Sequence, residues 1–166
     1  INPNIENNAG MTPLMASLSF YKNNMFNSVM KFNPDIDYVN KNNNTALVVA
    51  CNRKNCDEQA CDLIELGADC TLINDKNYTL SHMAVQNHAN KALFKIIDKH
   101  PDMIHSKNIH NETPMALSCI SQNIDAMSFL CEKGSDINIP SKPRLDAGVY
   151  PIQFVLSIIP ILNKNI

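Results

Sequence analysis

The sequence predicts an all-α repeat solenoid, a stack of helix-turn-helix units joined by β-hairpin-like loops, and three observations carry the prediction. Threonines recur at Thr12, Thr45, Thr79 and Thr113, in steps of 33, 34 and 34 residues; a fixed period of that size marks a repeat architecture. Two positions before each stands Gly10, Asn43, Asn77 or Asn111, the residue types that adopt a left-handed backbone at least cost. Two apolar segments with three-and-four spacing follow each threonine, the signature of helices with one buried side.

Each unit opens on the turn that the glycine or asparagine makes. The threonine then suits a helix N-cap: its hydroxyl accepts from an early backbone N–H, and Pro13 and Pro114 behind it lack a donor that the first turn would leave unused anyway. The first helix carries Leu14, Met15 and Leu18, then Leu47, Val48 and Val49, then Met83, Ala84 and Val85, then Met115, Ala116 and Leu117. The second carries Val29, Met30 and Phe32; Cys61, Leu63, Ile64 and Leu66; Leu93, Phe94, Ile96 and Ile97; Met127, Phe129 and Leu130. A breaker closes the unit at Asn33-Pro34-Asp35, Gly67-Ala68-Asp69, His100-Pro101-Asp102 and Gly134-Ser135-Asp136.

These motifs resemble the ankyrin repeat family. Gly10-Met11-Thr12-Pro13-Leu14, Asn77-Tyr78-Thr79-Leu80-Ser81-His82 and Asn111-Glu112-Thr113-Pro114-Met115 are similar to its opening, and Gly67-Ala68-Asp69 and Gly134-Ser135-Asp136-Ile137-Asn138 to its close. The resemblance covers nearly the whole chain. It implies a single domain over 1–166, with the tail of a preceding repeat at 1–9, complete repeats at 10–42, 43–76, 77–110 and 111–147, and a partial fifth at 148–166. A chain that opens and closes in mid-repeat is expected to be a fragment of a longer protein. Of the repeats, only His82 stands at the family's histidine position, where the resemblance implies a local hydrogen-bond network.

Repeat lengths differ slightly. Gly67 lies 22 residues after Thr45 and Gly134 lies 21 after Thr113, so the second repeat holds one extra residue, placed most naturally in the turn between its helices. The third repeat's extra residue falls either in that turn or near Pro101. Residues 139–147 lengthen the last linker, which is either a binding loop or harmless slack, since surface insertions cost little entropy.

Composition suits one domain of ordinary size with a continuous core: 166 residues, 45% of them hydrophobic. A net charge of −2 with scattered basic residues gives no electrostatic case for nucleic acid or an anionic membrane. The longest apolar run, 152–162, is shorter than the roughly 20 residues of a membrane span. Cys51, Cys56 and Cys61 are five apart, about 500° of helical turn per step, which scatters their thiols; they and Cys119 and Cys131 read as structural, and His105 and His110 as exposed loop residues, so no metal or cofactor is expected. Asp57 and Glu58 suit the N-terminus of a helix. Absent glycine-rich phosphate loops, GxSxG and HExxH, no intrinsic catalysis is expected. The formal glycosylation acceptors Asn43, Asn77 and Asn111 arise because a turn asparagine precedes each capping threonine by two. A cytoplasmic, monomeric domain is the expectation.

What remains is a surface. The resemblance implies a concave wall of hairpin tips and first helices that holds a partner protein of unknown identity. Its tips would present Lys41, Asn42 and Asn44, then Asp75, Lys76 and Tyr78, then Ile109, His110 and Glu112; its first helices would present Phe20, Arg53 and Gln86. Tyr78, Phe20, Ile109 and Arg53 are the expected anchors, because aromatic residues and arginine dominate interface hot spots. Two alternatives stand beside a binding scaffold: a substrate-recruiting domain of a larger enzyme such as a kinase or transferase, and a structural spacer.

Overall fold

A computed structural model describes residues 2–19, 23–73 and 77–137. The described chain is all-α. Its helices are α1 (Pro13–Ser17), α2 (Asn23–Met30), α3 (Ala46–Cys51), α4 (Asp57–Glu65), α5 (Leu80–Gln86), α6 (Asn90–Lys99), α7 (Pro114–Ile120) and α8 (Ile124–Glu132), with a short 3-10 helix at Pro101–His105 after α6. Among the described residues no strand forms, and a single antiparallel bridge joins Ile73 to Thr79. Phe20, Asp75, Lys76, the 139–147 insertion and the 148–166 segment lie outside the described residues.

The threonines start the first helices as their chemistry requires. Thr12, Thr45 and Thr113 have extended backbones, and their hydroxyls accept from the N–H of Met15, Val48 and Ala116 at 3.3, 3.3 and 3.2 Å. The residues two before them are left-handed: φ is +78° at Gly10, +57° at Asn43, +55° at Asn77 and +61° at Asn111. Second helices end on left-handed Gly67 and Gly134, whose following N–H groups return to the carbonyls of Leu63 and Leu130 at 3.0 and 2.9 Å.

Helices pair within a unit and then between units. α1 packs on α2, α3 on α4, α5 on α6 and α7 on α8; α1, α3, α5 and α7 touch in succession, as do α4, α6 and α8. Leu14, Leu47, Leu63, Leu80, Leu93, Met115 and Leu130 belong to one continuous buried cluster. The extra residue of 43–76 sits between α3 and α4, where the connection is longer than between α5 and α6. In 77–110 the extra residue lies near Pro101 instead, because α6 starts eleven residues after Thr79 just as α8 does after Thr113.

Candidate functional site

The loops between units are built on asparagine. Asn7, Asn40 and Asn108 each stand five residues before a threonine, and each side-chain oxygen accepts from the N–H groups two and four residues on, at 2.9–3.0 Å. This pins the tip that the left-handed residue then closes. Successive tips are stitched together: the Lys41 ammonium donates to the Asn8 carbonyl at 2.8 Å, the Asn42 amide to Ala9 at 3.0 Å, and the Asn77 amide to Lys107 at 2.7 Å. Asn42 and Lys41 lie so close over Gly10 that a Cβ there would sit 2.7 Å from the Asn42 side-chain nitrogen.

Of the residues expected to meet a partner, Lys41, Asn42, Arg53, Gln86, Ile109 and His110 are exposed and Asn44 is half-buried. Ile109 is 58% exposed and does not pack into its neighbours. Tyr78 and Glu112 correct the expectation, being only 8% and 1% exposed. Both directly precede the capping threonine, past the left-handed turn, where the chain has already bent inward. The Tyr78 ring lies 5.4 Å from that of His82, and the Glu112 carboxylate accepts from the Asn108 amide at 2.7 Å. Both point inward and do not present a surface.

His82 is the centre of that inner arrangement. Its Nε2 faces the Glu112 carbonyl oxygen at 3.0 Å; a carbonyl only accepts, so Nε2 carries the proton. Nδ1 then accepts from the Thr79 N–H at 3.2 Å and faces its hydroxyl at 2.8 Å, which closes a reciprocal capping box at the start of α5. Burial pushes the imidazole below its ordinary range, against the opposing pull of the Glu112 carbonyl and carboxylate.

Two exposed residues of this edge escaped the sequence reading. Val39 and Ile73 are 49% and 52% exposed, and together with Asn43, Val48, Leu72 and Met83 they line a shallow depression. Val48 belongs to α3 and Met83 to α5, so loops and first helices share one face. The signal was available: both stand six residues before a threonine.

The second helices are occupied differently. Lys91 pairs with Glu58, Lys95 with Glu65, and Lys133 with Asp98 at 2.6 Å, each across to the neighbouring unit. Lys133 also lies over the Phe129 ring, which stacks on Phe94 with centroids 4.1 Å apart. By contrast, Arg53 and Lys107 make no ion pair among the described residues.

Reactive chemistry is poorly served. None of the six cysteines forms a disulfide; five are buried and Cys131 is exposed. Burial raises every thiol above its usual range, Cys61 and Cys119 to about 11, which holds them protonated and away from the thiolate that nucleophiles and metal ligands require. Among the described residues no three His, Cys, Asp or Glu side chains gather as a metal site, and no helix is long and apolar enough to cross a membrane.

No family model and no curated protein matches the chain. Its fold is nonetheless shared. Among solved structures, one chain of the complex between a predatory endopeptidase of Bdellovibrio bacteriovorus and an immunity protein is similar over 95% of this chain and 79% of its own, at 26% identity and a TM-score of 0.72. In all, 383 chains of solved structures match, so the architecture is common and selects no function by itself.

Proposed function

We propose that this chain is a protein-interaction module of the ankyrin-repeat type, a solenoid whose loop tips and first helices form a concave face that holds a partner protein. The observation that carries the reading is an asymmetry between its two sides. Lys91 and Lys95 of α6 and Lys133 just after α8 are spent on carboxylates of neighbouring units, whereas the loop and first-helix side leaves Arg53, Gln86, Ile109 and His110 exposed, as it does Val39 and Ile73 at their depression. Isolated exposed apolar residues are ordinary on any surface; a row of them over a depression, rimmed by polar groups, marks an interaction site.

The succession of similar helix pairs supports the repeat reading, because each unit contacts its neighbours in order. The similar solved structure is itself a complex with an immunity protein, which agrees with a binding role. Six cysteines without a disulfide fit a reducing compartment such as the cytoplasm.

The test is a display selection of binders against the chain, re-measured on Arg53→Glu/Ile109→Asp and on Lys133→Glu. Loss of roughly tenfold or more in affinity on the first variant alone is expected from a hot-spot pair. Binders that ignore it and are lost on Lys133→Glu would move the interface to the second helices and overturn the proposal.

A further inference from the structure

The position six before each threonine is occupied in turn by Glu6, Val39, Ile73 and Lys107. The register is fixed by structure as well as by counting, since Asn7, Asn40 and Asn108, one residue further on, make the same pair of bonds to the backbone two and four residues ahead. Val39 and Ile73 line the same depression above α3 and α5. The row therefore runs from a carboxylate, across two exposed aliphatic side chains, to an ammonium. Glu6 is partly engaged, accepting from Tyr38 Oη at 3.2 Å and from the Lys41 N–H at 3.1 Å. Lys107 is exposed, and its carbonyl accepts from the Asn77 amide, while its ammonium makes no ion pair among the described residues.

We infer that this row reads an extended peptide segment of the partner, with a cationic residue set against Glu6, two aliphatic residues on Val39 and Ile73, and a carboxylate against Lys107. The inference rests on the binding role proposed above and adds the partner's chemistry and polarity. Charge complementarity selects this occupant: a segment with both charges of one sign meets repulsion at one end, and a reversed one meets it at both. Spacing follows from packing. Helices lie about 8–10 Å apart, and an extended segment of polyproline-II form advances about 3.1 Å per residue and brings every third side chain to the same side, so each unit step matches roughly three residues. The segment is then charged at its first and tenth positions, with opposite signs, and aliphatic at its fourth and seventh.

Two fluorescein-labelled decapeptides test this by anisotropy: one with arginine first, leucine fourth and seventh and glutamate tenth, the other with the two charges exchanged. One should bind at least roughly tenfold more tightly than the other, the size of effect that a misplaced charge has at an interface. Backbone direction decides which. The double reversal Glu6→Lys/Lys107→Glu, which keeps the net charge of −2, should exchange their order. Lys107→Glu alone, which disturbs no tip hydrogen bond, should weaken the preferred peptide, with an unchanged melting midpoint showing that the fold is kept. Equal binding of the two peptides, or an order that survives both variants, overturns the inference. If neither peptide binds while displayed binders sensitive to Arg53→Glu/Ile109→Asp exist, the row is wrong and the wider binding face stands; if no such binders exist, both fail.

Discussion

The Asp57 carboxylate caps Ala92: one oxygen accepts from the Ala92 N–H at 2.8 Å and the other from the Lys91 N–H at 3.0 Å. Asp57 is the first residue of α4 and Ala92 lies in the first turn of α6, where the residue at the helix's own cap position, Ala89, supplies no side-chain bond. One unit thus satisfies orphan donors of the next, which ties the start of α6 to α4.

Asp57→Ala should therefore cost about 1–2 kcal/mol, the range for losing a cap. Hydrogen exchange at the Lys91 and Ala92 amides should speed up more than at the Ile96 and Ile97 amides. The ion pair of Lys95 with Glu65 joins the same two helices, but both partners are well exposed, so Glu65→Ala should cost less than Asp57→Ala. Denaturant unfolding of the two variants ranks them.

His82 predicts a pH dependence. Its folded pKa is lowered by burial, so the unfolded chain binds a proton more readily than the folded one. The stabilisation is full above the ordinary value near 6.5 and is lost as pH falls from there toward the lowered folded value. Urea midpoints measured between pH 7.5 and pH 5 should decline, and His82→Gln should flatten the decline while lowering the midpoint throughout, because Thr79 and Glu112 lose their shared partner.

Asn77 tests the turn. At φ +55° an alanine costs roughly 1–2 kcal/mol, and the substitution also removes the bond to the Lys107 carbonyl. Asn77→Gly keeps the backbone but not that bond. The expected order of melting midpoints is wild type, Asn77→Gly, Asn77→Ala.

The turns and caps were legible in the sequence because each depends on one residue type in a fixed local position: left-handed Asn43, Asn77 and Asn111, and capping Thr12, Thr45 and Thr113. Contacts between units were not. Tyr78 reads as an exposed tip until its ring turns in beside that of His82, and Glu112 reads as a surface acid until the Asn108 amide and the His82 contact draw it inward. Likewise Asp57 suits its own helix dipole, yet its hydrogen bonds go 34 and 35 residues away. His88 and Gln122 adopt φ of +59° and +55° at the ends of α5 and α7, turns with no glycine to announce them. Val39 and Ile73 were passed over because an aliphatic residue in a repeat reads as core, although their shared place six before a threonine already marks them as loop positions.

The central claim, that the loop and first-helix side is where a partner sits, is tested most directly by backbone amide chemical-shift mapping with a bound displayed binder. Perturbations should cluster at Val39, Ile73, Lys107 and Ile109 and leave Glu58, Glu65, Lys95 and Asp98 unmoved. A map centred on those second-helix residues, with Val39 and Ile73 silent, would contradict it.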